Sequence, residues 1–265
     1  KRISSWISAA LAVLITFSMI PPKAFALGEN ERNDQGGNSL RIGTIEDGLS
    51  YTDGTIQRHA YVRIPIAPPG DRLNYTMSLD YMAPNTLNTG LVVFRAETKG
   101  ASVLPELTRR GDVLRVKDDS GQFDIAKVFE ANQWVHIDVE VQNGTVRIYI
   151  DGEPVMKNGA VYTYALAGTA ASPDTFGYLG DGSSGWYDYY GYYDNLTLTE
   201  NGRVTWRQTF DDVAELDDLK AAGYTLAYNA NDGAIALGDA FALDSAKNRG
   251  VPVLSTVDVS ARRTA

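Results

Sequence analysis

Four sets of residues in this 265-residue sequence have the types and spacing for chemistry. The first is the aromatic cluster Trp186-Tyr187-Asp188-Tyr189-Tyr190-Gly191-Tyr192-Tyr193, preceded by the loop-forming run Gly180-Asp181-Gly182-Ser183-Ser184-Gly185. A flat ring with a polar tip stacks on the C–H face of a sugar and hydrogen-bonds to its hydroxyls, so Trp186, Tyr187, Tyr189 and Tyr190 are candidate glycan contacts. Alternate members would serve equally as core residues of the strand leading to Asp194. The second set is His136, Asp138 and Glu140, which as i, i+2 and i+4 residues of a strand project to one side about 7 Å apart. Carboxylates so spaced can act as acid and base or nucleophile in glycoside hydrolysis. A solvated strand face accounts for the same residues without chemistry.

The third set is oxygen ligands for a hard cation: Asp181, Asp188 and Asp194, with Glu46, Asp47 and Asp53 nearer the N-terminus. Such sites draw several oxygens from separate segments, and no contiguous EF-hand run is present. The fourth is His59 with Arg58 and Tyr61, a lyase-like base with a cation to hold a uronate carboxylate; a lone surface histidine is the plainer account. Cysteine is absent, there are two histidines, and no Gly-x-Ser-x-Gly elbow occurs, so nucleophilic catalysis has little support.

The elements that must position these residues read as short strands. Apolar and polar residues alternate over Ser39–Gly43, Tyr61–Ile66, Tyr75–Met82, Gly90–Ala96, Asp112–Val116 and Phe123–Val128, with turn clusters between them. The clearest stretch is Gln133–Val155. Val135, Ile137, Val139 and Val141 alternate with His136, Asp138 and Glu140, which predicts one core face and one wet face. Asn143-Gly144 then marks a two-residue hairpin, and Asp151-Gly152 turns the chain again. Thr175–Leu179 and Tyr192–Thr199 are two further strands, Asn201-Gly202 breaks the pattern, and Val213–Ala222 is the one helical piece, stopped by Gly223.

Residues 1–26 read as a secretory signal: Lys1 and Arg2, an apolar run from Ile7 to Ile20, then Ala24-Phe25-Ala26 for cleavage. The run is too short for a spanning helix and Pro21-Pro22 ends it, so no membrane insertion is expected after cleavage. Export without any cysteine suits a bacterial protein resting on a large β core. Loss of residues 1–26 removes three of the 24 basic and none of the 33 acidic residues, moving the net charge from −9 to −12. That balance disfavours nucleic acid and anionic lipid and favours a neutral glycan or Ca²⁺.

Residues 27–38 read as a polar strap and 39–203 as one β sandwich. The stretch 208–265 echoes the first strands, with Ala234-Ile235-Ala236-Leu237-Gly238 resembling Ser39-Leu40-Arg41-Ile42-Gly43. Either a second, truncated β module begins there or its strands complete the first. The opening Lys in place of Met and this broken repeat lead us to expect further domains in the same chain.

The progression Ala131-Asn132-Gln133-Trp134-Val135-His136-Ile137, Val146-Arg147-Ile148-Tyr149-Ile150-Asp151-Gly152 and Tyr192-Tyr193-Asp194-Asn195-Leu196-Thr197-Leu198 resembles the concanavalin A-like jelly rolls, in particular the laminin-G-like modules of secreted bacterial proteins. The resemblance covers about residues 39–200. It implies an all-β fold of two curved antiparallel sheets, frequently a structural Ca²⁺, and binding of glycan or protein; some members are glycosidases or polysaccharide lyases. It carries the Ca²⁺ over to Asp194 alone. The strand also resembles the Glu-x-Asp-x-Glu of some jelly-roll glucanases, with His136 in place of the first Glu. The expectation is an all-β jelly-roll sandwich with one short helix near its C-terminus. Its expected role is a non-catalytic, extracellular module that binds a glycan or cell-surface polymer. The rivals are a polysaccharide-cleaving enzyme working through Asp138 and Glu140 or through His59, and a structural spacer of a cell-surface protein.

Overall fold

Period-two alternation with two-residue turns builds this chain into two antiparallel sheets. The computed structural model describes residues 38–43, 61–64, 66–83, 90–98, 101–166, 176–181, 190–211, 213, 216–227, 235–236 and 253–256. The signal segment, nearly all of the strap, and His59, Trp186, Tyr187 and Tyr189 lie outside these.

The main strands in chain order are β1 (Asn38–Gly43), β2 (Tyr61–Ile64), β3 (Asn74–Ala83), β4 (Gly90–Phe94), β5 (Glu106–Arg110), β6 (Val113–Asp118), β7 (Gly121–Ile125) and β8 (Gln133–Gln142). They continue with β9 (Thr145–Ile150), β10 (Phe176–Asp181), β11 (Tyr190–Glu200), β12 (Arg203–Gln208), β13 (Thr225–Ala227), β14 (Ile235–Ala236) and β15 (Val253–Thr256). A short helix, α1 (Leu216–Ala221), separates β12 from β13. The front sheet runs β9-β8-β3-β11-β1-β15, with β12 paired to β11 and Glu153–Pro154 at the β9 edge. The back sheet runs β14-β13-β2-β10-β4-β5-β6-β7. This is the predicted all-β jelly-roll sandwich. Downstream of Gln208, β13 pairs with β2 and β14 with β13, while β15 pairs with β1, so that stretch adds two strands to the back sheet and one to the front.

Turn chemistry sets the register. Asn143-Gly144, Asp151-Gly152, Asn158-Gly159 and Asn201-Gly202 all hold two consecutive positive φ angles, from 49° to 85°. That is the primed-turn geometry whose twist matches paired strands. Asn201-Gly202 therefore continues the sheet instead of breaking it: Glu200 pairs with Arg203 across the turn.

The core lies between the sheets. Tyr75, Met77, Leu79 and Tyr81 of β3 face inward beside Val141, Val139, Ile137 and Val135 of β8, pair by pair. Leu107 of β5 with Leu114 and Val116 of β6 come from the back sheet. Full burial of such a side chain stabilises by about 1.5–3 kcal/mol. Two polar braces cross this apolar layer. Arg109 of β5, fully buried, donates from Nε to Tyr81 Oη at 2.8 Å, and Tyr193 of β11 donates from Oη to the Val92 carbonyl at 2.6 Å. Tyr81 meets Tyr193 and Phe129 edge to face, with centroids 5.2 and 5.3 Å apart.

Candidate functional site

The same alternation that sends Ile137 and Leu79 inward sends His136, Asp138 and Glu140 to the outer face of the front sheet. Register places Asp80 opposite His136, Ser78 opposite Asp138 and Thr76 opposite Glu140. On the other side of β3, Asp194 sits opposite Asp80 and Thr197 opposite Ser78. Three residues of β11 thus match two of β3, which is a β-bulge. Asn195, in the left-handed region at φ 49°, is the extra residue. The bulge lets both Asp194 and Asn195 face outward while Tyr193 and Leu196 stay in the core.

The outcome is a buried polar network, not the wet face that alternation suggested. His136 and Asp138 are each 7 % exposed, Asp80 and Asp194 4 %. Nδ1 of His136 lies 2.6 Å from Asp80 Oδ1, and Nε2 lies 3.1 Å from Asp138 Oδ1. Ser78 Oγ donates to that same Asp138 oxygen at 2.5 Å, and Asn195 Nδ2 donates to Asp80 Oδ2 at 2.8 Å. The backbone N–H of His136 donates to the Asp151 carboxylate at 2.9 Å, so the Asp151-Gly152 turn also holds the strand here. Asn195 Oδ1 and Thr197 Oγ1 are buried on this face without a hydrogen-bond partner.

The electrostatics fix the protonation state of the histidine. Burial disfavours the imidazolium, but hydrogen bonds and charge from Asp138 and Asp80 outweigh it and push the pKa up to about 10. Both ring nitrogens then donate, which leaves His136 no lone pair for proton abstraction or for a metal. Asp138 is occupied by two donors. At the more accessible end, Tyr149 Oη donates to Glu140 Oε2 at 3.1 Å and Arg147 Nη1 stands 3.7 Å from it. Glu140 is therefore paired to a cation and a phenol and not poised as the partner of Asp138.

Of the other sequence-predicted residues, Tyr190 opens β11 opposite Gly43, and Asp181 closes β10 opposite Leu91. Asp194 is buried, and its Oδ1 accepts the Asn195 backbone N–H at 2.7 Å. Among the described residues no group of three or more His, Asp or Glu side chains is arranged to hold a metal ion. Glu46, Asp47, Asp53 and Asp188 lie outside them. The same holds for membrane spans: no described helix is long and apolar enough to cross a bilayer. Sequence reading missed Asp80 and Asn195, the two residues that complete the clamp. Their only sequence signal is an acid at mid-strand among apolar neighbours in Leu79-Asp80-Tyr81, and Asp194-Asn195 side by side where alternation calls for one outward residue.

A family model described as the Concanavalin A-like lectin/glucanases superfamily matches residues 57–202, more than half of the chain. No curated protein matches the sequence. Similar solved structures include an alginate lyase of polysaccharide lyase family 7, at 17 % identity and a TM-score of 0.36, covering 54 % of this chain and 62 % of the lyase. The Trypanosoma rangeli sialidase aligns at 17 % identity and a TM-score of 0.39, over 48 % of this chain and 20 % of the sialidase. The binding domain of botulinum neurotoxin serotype D aligns at 10 % and 0.35, over 62 % of this chain and 48 % of that one. The chain spans less than two thirds of each of these structures.

Proposed function

We propose, on the premise that this chain belongs to the concanavalin A-like lectin/glucanase superfamily, that it is a non-catalytic module binding a carbohydrate or surface polymer within a larger secreted protein. One observation carries the non-catalytic half: the strand that would bear the catalytic acids has its His136 and Asp138 locked in a buried, charge-paired clamp. An acid or base must reach the proton it transfers, and these groups are withdrawn from solvent and hydrogen-bonded to one another. The binding half is supported by five of the six rings within residues 186–193, Tyr193 being taken into the core; flat amphipathic rings at that density suit sugar stacking. Export is supported by the Lys1–Ala26 leader pattern.

Retention on insoluble neutral polysaccharides tests the reading. The parent should be retained, and Trp186→Ala, Tyr187→Ala and Tyr189→Ala together should abolish retention. Release of reducing ends, or of unsaturated uronates absorbing near about 235 nm, by the parent would replace binding with catalysis. A protein that neither binds nor cleaves would be a spacer.

A further inference from the structure

The back sheet has its own outer face, and its charge runs against that of the chain. Leu107 and Arg109 of β5 and Leu114 and Val116 of β6 point into the core, so Glu106, Thr108 and Arg110, with Arg115 and Lys117, must point outward. The register sets Glu106 opposite Lys117, Thr108 opposite Arg115, and Arg115 opposite Asp124. Arg95, just past β4, reaches Glu106 at 3.2 Å. Directly paired residues lie about 5 Å apart and i, i+2 residues about 7 Å, which gathers four cations within roughly 15 Å.

Two of these cations are held in ion pairs and two are not, although Arg110 stands near enough to Asp124 to lower its pKa. Arg115 makes a bidentate pair with Asp124, at 2.7 and 2.8 Å, and Arg95 is tied to Glu106. Arg110 and Lys117 are exposed and make no ion pair with a described residue. Six charged groups thus sum to an excess of two positive charges on a protein whose net charge is −9.

We propose that this face docks an anionic polysaccharide, whose carboxylate or sulfate groups are taken by Arg110 and Lys117 and flanked by the guanidinium groups of Arg115 and Arg95. Charge complementarity selects the occupant. A guanidinium takes a carboxylate or sulfate through two parallel hydrogen bonds, the ammonium takes it as a point charge, and Thr108 between them adds a hydroxyl. The patch is a flat row of strands and suits an extended chain whose charges recur at sugar spacing. Single-stranded nucleic acid fits it poorly, because no aromatic side chain stands among these residues for bases to stack on. The proposed contacts include none of the aromatic residues 186–193, so this test is separable from that of neutral-glycan binding.

Affinity electrophoresis in gels containing polygalacturonate, dextran sulfate or uncharged dextran decides the matter, with single-stranded DNA as the competing polyanion. The parent should be retarded by polygalacturonate, dextran sulfate or both at low salt and released by added NaCl, the responsive gel naming the anion. Arg110→Gln with Lys117→Gln should weaken retardation about tenfold, at an unchanged thermal midpoint. Arg72→Gln with Arg203→Gln removes the same charge from exposed positions elsewhere and should change nothing. No retardation in either anionic gel, an equal loss in both double variants, or stronger retardation by DNA would each overturn the proposal.

Discussion

Oδ1 of Asp80 stands 2.6 Å from Nδ1 of His136 across the β3–β8 pair, a contact between residues 56 positions apart in the chain. With Asp138 on the other ring nitrogen, it makes the histidine the shared cation of two buried acids. Replacing His136 by Ala leaves both carboxylates buried without their counter-charge, and breaking a buried pair in this way costs about 3–5 kcal/mol. Urea unfolding should show that loss. Adding Asp80→Asn and Asp138→Asn to His136→Ala should recover part of it, and a single-variant loss under about 1 kcal/mol contradicts the clamp.

The clamp also sets a pH dependence. The pKa of His136 rises from 6.5 to about 10 on folding, so its contribution is complete below about pH 6.5 and is lost as the pH climbs toward 10. The steepest slope is about 1.4 kcal/mol per pH unit. Urea midpoints measured between about pH 7 and pH 9.5 should fall in the parent and fall less in His136→Gln. Parallel curves would show that the proton is not held there.

Arg109 reaches from β5 to Tyr81 of β3 through the apolar layer. Arg109→Ala removes the brace and opens a cavity, and should cost more than about 3 kcal/mol by calorimetric unfolding. Arg109→Met in a Tyr81→Phe background nearly keeps the volume and removes both ends of the Arg109–Tyr81 hydrogen bond, so it should cost less. Equal losses would contradict this, since neither the refilled volume nor the removed phenol would then have mattered.

Asn195 supplies both a left-handed residue and the donor to Asp80. Asn195→Gly gives up the hydrogen bond, worth about 1.5–3 kcal/mol to a charged acceptor. Asn195→Ala gives it up too and adds about 1–2 kcal/mol of backbone strain. Thermal denaturation should rank parent above Gly above Ala, and a variant with Ala as stable as Gly would deny the strain.

Strand by strand, what was legible followed local rules. The β8–β9 hairpin is written in Asn143-Gly144 and in strict alternation, and both are local. β5 escaped notice because a core position is filled by Arg109, so Leu107-Thr108-Arg109 shows no apolar alternation. β12 escaped because it buries little: Arg203, Val204 and Thr205 are exposed, and Trp206 is only partly buried against the core. Alternation in β8 reported that its two faces differ in polarity, but not that the polar one is withdrawn from water. The groups that satisfy it, Asp80 and Asn195, arrive from distant strands; those two lie 115 positions apart. Pairing at that range has no local signature.

The bulge in β11 separates two demands on one position. A chain lacking residue 195 would place Leu196 opposite Leu79 and Thr197 opposite Ser78, with Asp194 still opposite Asp80 and every later pair unchanged. The ladder closes without the extra residue, so length variation at this point leaves the fold's arithmetic intact. Relatives with a strand one residue shorter would keep the sandwich and lose the amide that holds Asp80, which makes residue 195 dispensable to the architecture and specific to this protein's buried network.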